Sequence, residues 1–245
     1  MTEYMIVFPV MLVLIFGTLQ VALLYQAKIQ LNYAAFESAR SGSLNNAQHW
    51  ALQAGVVRGL APIHTHGQGR NWLRWARSTV WDQIEADLIE IEIINPTPDM
   101  FEEGVHGIDD GDNLYIPNDN LMYRDATPRG GAGVGATEST IQDANLLKIR
   151  VLYCVEMHVP FVNRMINALL RLGAPATPSG TGPSGTVGTG QLMAWRSTGV
   201  GFAAPAGSFE QTCLARLPQH HIPIMSEAIF RMQSDPILDL PLDVP

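Results

Sequence analysis

The 245-residue chain carries 15 Lys and Arg against 23 Asp and Glu, giving a formal charge of -8 and a pI near 5.3. It has no run of basic residues and no interleaving of aromatic and basic ones, which excludes a nucleic-acid partner, because phosphate binding needs a concentrated cationic patch. The length suits one sizeable domain plus an appendage, and much of the apolar excess lies in the first few dozen positions.

The chain opens "MTEYMIVFPVMLVLIFGTLQVALLYQAKIQ". From Met5 to Leu24 no residue is charged, and the polar interruptions are Thr18 and Gln20. At about 1.5 Å per residue this run spans the ~30 Å hydrocarbon core of a bilayer. A secretory signal starts basic and has a shorter apolar core; here no Lys or Arg precedes the run, and the helical pattern continues past it. Ala27, Leu31, Ala34, Ala35 and Ala39 then keep one face apolar or small, up to Gly42. One helix is expected from near Thr2 to about Arg40, apolar all round at first and amphipathic afterwards. Tyr4 and Tyr25 bracket the lipid-length part as interfacial aromatics do. Pro9 predicts a kink or local opening, which a membrane helix tolerates when neighbours satisfy the freed carbonyl. Glu3 has two readings: it reaches up to lipid headgroups, or it pairs with a positive group on a neighbouring chain when helices bundle.

After Gly42, "NAQHWALQAGVVRGLA" places Trp50, Ala54, Val57 and Leu60 near one face of a second helix, ended by Gly59 to Pro62. "NWLRWARSTVWDQIEADL" gives a third helix through Trp72, Trp75, Val80 and Ile84; its tryptophans, Trp81 included, have two readings, facing a ligand or a lipid surface or packing against the sheet, and the i, i+3 spacing of Trp72 and Trp75 favours the sheet. In "LIEIEIINP", Ile89, Ile91 and Ile93 alternate with Glu90 and Glu92, a strand with one wet face. "LLKIRVLYCVEMHVP" alternates likewise, with Lys148 and Arg150 on the polar side. Paired with apolar faces inward, the two strands bring acids opposite bases, at about 0.2–1 kcal/mol per opposed pair. A third strand is expected in "FEQTCLARLPQ", stopped by Pro218. The fold class is therefore α+β: a long N-terminal apolar helix over 1–42, then a head over 43–245 with a small antiparallel sheet packed against helices. Two long polar stretches, about 97–144 and 173–192, read as loops, the second rich in Gly, Ser, Thr and Pro and open to glycosylation. Such loops are where a surface protein carries binding specificity.

Cys154 and Cys213 lack any CxxC partner, which argues against zinc and thioredoxin chemistry and leaves one disulfide or two buried thiols. An oxidising compartment, as the apolar segment suggests, favours the disulfide. Asp109, Asp110, Asp112 and Asp119, with Asn113, supply hard oxygen ligands for calcium, but their spacing is not that of an EF-hand, and a solvated turn is the plainer reading. The pairs His64/His66 and His220/His221 lack an evident third metal ligand. No GxSxG, P-loop or HExxH motif is present, and "GGAGVG" from Gly130 to Gly135 follows a turn-rich stretch rather than a strand. No catalytic residue is expected.

With an acid just before the apolar run, an early Pro in it and an Ala-rich exit ending "ESARSG", residues 1–42 resemble the N-terminal region of TadE-like minor pilins of tight-adherence (Tad) pili, a type IV pilin-like family. "LKIRVLYCVEMHVPF" and "CLARLPQHHIPIMSEA" resemble that family's later strands more weakly. The resemblance implies a structural subunit with its head outside the cytoplasm, resident in the bacterial inner membrane before it joins an extracellular filament. Its partners would be other pilin subunits or copies of itself through the N-terminal helix, together with the prepilin peptidase and the pilus machinery. In that family the peptidase cuts after a glycine upstream of the helix, and the mature acid stands fifth. Here the acid is Glu3, so either two further residues stand ahead of Met1 or the register differs. The alternative with the same topology is a single-pass anchored assembly factor or adhesin that does not polymerise; a tethered enzyme ranks last.

Overall fold

The computed structural model describes residues 2–64, 71–111, 113–130, 138–159, 213 and 221–238. The chain is α+β, a long N-terminal helix followed by shorter helices and a small antiparallel sheet. It divides into two compact units. One comprises Met1–Gln30, Asp82–Glu90 and Leu152–Ser226; the other comprises Leu31–Trp81, Ile91–Val151 and Glu227–Pro245.

Helix α1, Thr2–Leu44, is continuous through Pro9 and runs past Arg40. Its amphipathic half buries the expected residues: Ala27, Leu31, Ala34, Ala35 and Ala39 form one closed face. The chain leaves α1 through Asn46 and Ala47, both at a positive φ of 59°. Non-glycine residues pay about 1–2 kcal/mol for that conformation. Asn46 is held in it, its N–H donating to Ser234 Oγ at 2.8 Å and its side-chain amide to the Asp235 carbonyl at 2.7 Å.

Helix α2, His49–Leu60, lies against the second half of α1 with backbones nearly touching. A Cβ at Gly55 would stand 2.4 Å from Ser38 Cα, and one at Gly59 2.3 Å from Ala34 Cα. Ser38 Oγ closes the seam by donating to the Leu52 carbonyl at 2.9 Å. The helix ends at Leu60, within the expected Gly59 to Pro62, and the missing side chain of Gly59, its penultimate residue, also serves close approach to α1. This seam also turns the helix about its axis relative to the expected face. Trp50 is 57% exposed, while Ala51, Leu52 and Val56 join Val57 and Leu60 inside.

Helix α3, Trp72–Glu85, forms as expected but buries Ala76 and Val80. Trp72, Trp75 and Trp81, expected against the sheet, are 41%, 49% and 37% exposed. The inward stripe passes through Ala76 and Val80, one turn apart, and at about 100° per residue the indoles fall beside or opposite it.

Strand β1, Ile89–Asn95, leaves Glu92 exposed. The stretch that follows, expected as a loop over 97–144, contains a lobe with its own structure. A 3-10 turn at Pro98–Phe101, a hairpin of β2 (Ile108–Asp109) with β3 (Leu114–Tyr115), and the short helix α4 (Ile141–Ala144) surround a core of Met100, Phe101, Ile116, Leu121, Ile141 and Ala144. A capping box starts α4: Thr140 Oγ1 accepts from the Asp143 N–H, and the Asp143 carboxylate accepts from the Thr140 N–H. The polar composition hides this lobe because its apolar residues follow no helical or strand period. The other expected loop, 173–192, lies outside the described residues, as do residues 131–135 of the glycine-rich run.

Strand β4, Leu146–Glu156, is central in a sheet of order β1-β4-β5. It alternates as expected through Val151; from Leu152 to Val155 every side chain is buried. Strand β5 is His221–Arg231, not the expected 209–219. Within that earlier stretch Cys213 is described, and it is helical rather than extended. Pro223 lies inside β5, which tolerates it as an edge strand, where a missing N–H goes unnoticed. Cys154 and Cys213 are joined in a disulfide with Cα atoms 5.8 Å apart. It sits in a small core with Leu88 and Leu152, flanked by Ala86 and Met225.

Candidate functional site

The features with functional potential start with α1. Every described side chain from Val7 to Leu19 is at least partly exposed, and nearly all are apolar, so this part of the helix has no preferred inward face. By length and composition α1 is able to cross a membrane, with a mean hydropathy of 2.4 over its most apolar window. Glu3 lies in its first turn and Pro9 two turns further on, both within the helix.

The two polar interruptions behave differently. Thr18 Oγ1 donates to the Ile15 carbonyl at 2.8 Å and is thereby satisfied within the helix. Gln20 is 1% exposed, and its Oε1 accepts the Val159 N–H at 3.0 Å. Gln20 is the first fully buried side chain along the described part of the helix, a little over a turn before Tyr25, which is 67% exposed. The stretch from Thr2 to Leu19, about 27 Å of helix at 1.5 Å per residue, comes close to the ~30 Å hydrocarbon thickness. Lys28 Nζ, beyond that stretch, donates to the Met225 carbonyl. Sequence reasoning noted Gln20 as an interruption and missed its task; a lone amide in an apolar run is the signal, since unpaired it costs several kcal/mol in hydrocarbon.

The charged face of the sheet carries a linked set of ion pairs among Glu92, Lys148, Arg150 and Glu227. Arg150 Nη1 donates to Glu92 at 2.9 Å, as the paired-strand reading expected. Its Nε and Nη2 donate to Glu227 Oε1 at 2.9 and 2.8 Å, and Lys148 Nζ lies 3.2 Å from Glu227 Oε2. Burial works against both charges, but the ion pairs outweigh it: Glu227 is held below the usual carboxylate value and Arg150 is raised further. Burial pushes the Tyr153 phenol up to about 12, with a hydrogen bond from Gln83 opposing and the Glu156 charge adding. It is neutral at physiological pH, and this set of groups is built for cohesion rather than proton transfer.

Of the candidate calcium ligands, Asp109, Asp110 and Asp119 are exposed. Asp109 Oδ1 accepts from the Gly111 N–H at 2.7 Å, and Asp119 pairs with Arg124. Asp112 lies outside the described residues. Among the described residues no group of three or more His, Cys, Asp or Glu is gathered as a metal site. Of the histidine pairs, His66 and His220 also lie outside them.

Compared with known proteins, residues 1–40 match the family of TadE-like proteins. No curated protein sequence and no solved structure matches the chain. The match coincides with the segment whose residues carried the resemblance. Together with the apolar helix it fits a membrane-anchored protein associated with the Tad pilus.

Proposed function

We propose that this chain, TadE-like over residues 1–40, is a pilin-like structural subunit of a Tad-type filament or of its tip, held in the bacterial inner membrane by α1 before assembly. The observation that carries the reading is the division of labour along one uninterrupted helix: apolar and exposed on all sides from Val7 to Leu19, then with one face, through Gln20, Ala27, Leu31 and Ala34, closed into the protein while the other stays exposed. Such a helix exchanges lipid for the helices of other subunits at little cost, because the two surroundings are alike in polarity. The Cys154–Cys213 disulfide supports a head on the oxidising, periplasmic side, and outside the cell once assembled. The prepilin peptidase and the assembly machinery are the partners that this route requires, and the role is structural rather than catalytic.

On this reading Glu3 neutralises the N-terminal amine of a neighbouring subunit inside the helix bundle and so sets axial register. Glu3→Ala should insert into the membrane as well as wild type and be absent from sheared filaments; incorporation at the wild-type level would overturn the role. N-terminal sequencing and mass of the chain from sheared extracellular material and from inner membrane test the whole reading. A trimmed N-terminus in the sheared fraction supports a processed subunit. Recovery in membrane alone overturns it in favour of an anchored assembly factor or adhesin.

A further inference from the structure

Three indoles of α3 stand in water although the helix has an inward face of its own. At about 100° per residue, Arg74 and Trp81 lie on the side away from the Ala76 and Val80 stripe, with Arg77 on one flank of that side and Trp75 on the other. From Trp72 to Trp81 the helix carries Arg74 and Arg77 and no acid; Asp82 and Glu85 come only in its last turn. Neither arginine has an acidic partner among the described residues. In a chain of formal charge -8 this is a local patch of opposite character.

Indole is apolar over its rings and polar at its N–H, and it concentrates where lipid meets water. Arginine beside it complements anionic headgroups, the composition of a helix that lies in an interface. A bilayer is also a surface that the chain, by the length and composition of α1, is able to enter. We infer that α3 rests on an anionic bilayer, with Trp75 and Trp81 in the headgroup layer and Arg74 and Arg77 on lipid phosphate. This does not depend on whether the subunit later polymerises; it describes the membrane-resident form.

The test uses the full chain reconstituted into phosphatidylcholine vesicles with or without phosphatidylglycerol. Variants keep one tryptophan, at 75, 81 or 50, with the others replaced by Phe, and disulfide formation on a non-reducing gel reports folding. Trp75 and Trp81 should shift to the blue and be quenched by lipids brominated near the headgroup, more strongly with phosphatidylglycerol, while Trp50 should stay unquenched. In an otherwise wild-type background, Arg74→Gln and Arg77→Gln should each lower the ratio of seated to lifted molecules roughly fivefold in the anionic vesicles. Trp75 and Trp81 behaving like Trp50 overturns the inference. So does protection from aqueous acrylamide without lipid quenching, which would mean that protein, a second copy included, covers this face.

Discussion

Arg150 joins three strands through one guanidinium. Glu92 of β1 and Glu227 of β5 are its partners, on either side of β4. Removing it leaves two carboxylates and a single lysine, so Arg150→Ala should lower stability by about 1 kcal/mol, a value kept small because the partners are partly solvated and screened. Denaturant midpoints in low and high salt check this, with most of the difference expected to vanish in high salt. The pH dependence has a definite sign. Glu227 is depressed in the fold, so its contribution is fully present above the ordinary carboxylate range near 4.3 and is lost as pH falls through its lowered value. Arg150 is raised, and its contribution would fade only above its ordinary, strongly alkaline value. Stability of wild type should therefore fall more steeply than that of Arg150→Ala on acidification below pH ~4.3. Half of this cluster was legible from the alternation of Glu90 and Glu92 against Lys148 and Arg150. Glu227 was not, because Pro223 and the buried run Ile222 to Ile224 disguise β5 as something other than an alternating strand.

The helices show what periodicity conveys and what it leaves out. The inward face of α1 was readable residue by residue, since small and apolar positions recur at helical spacing over a long stretch. In α2 the same logic misplaced the face, because glycine contributes to packing by having no side chain and leaves no apolar mark. The test is direct. Gly59→Ala places a methyl carbon where Ala34 Cα is 2.3 Å away, and Gly55→Ala does the same toward Ser38. Each should destabilise by about 1–3 kcal/mol, despite alanine's higher helix propensity. Ala54→Gly, one position off the seam, should lose no more than about 1 kcal/mol. Thermal melts by circular dichroism separate the cases; a gain in melting temperature for Gly59→Ala would refute the contact. In α3 the indoles misled for the opposite reason: size made them candidates for the core, and Ala76 and Val80 took that position.

At the scale of the chain, the disulfide closes a long loop, the cysteines being 59 positions apart. Loop-closure entropy for that separation is about 4 kcal/mol at 25 °C. Reduction, or Cys154→Ser with Cys213→Ser, should lower stability by about 2–4 kcal/mol and make Leu88 and Leu152 and their neighbours the first region to exchange amide hydrogens. If melting is unchanged by reductant, the bridge is not a structural element. The architecture was legible at this scale because an apolar run and two alternating strands are strong signals. The lobe after β1 was not, since its core is assembled from isolated apolar residues in a polar stretch.

The link between Gln20 and the Val159 N–H also sets how the molecule bears load. Val159 follows β4, the strand flanked on both sides in the sheet and carrying Cys154. An axial pull on the apolar end of α1 is felt at Gln20 and passes into a strand that cannot peel from an edge and is riveted to Cys213. Lys28 adds a second attachment at the Met225 carbonyl. The helix therefore does not slide along its axis like a piston while the rest stays still; tension drawn through it arrives in the sheet as shear.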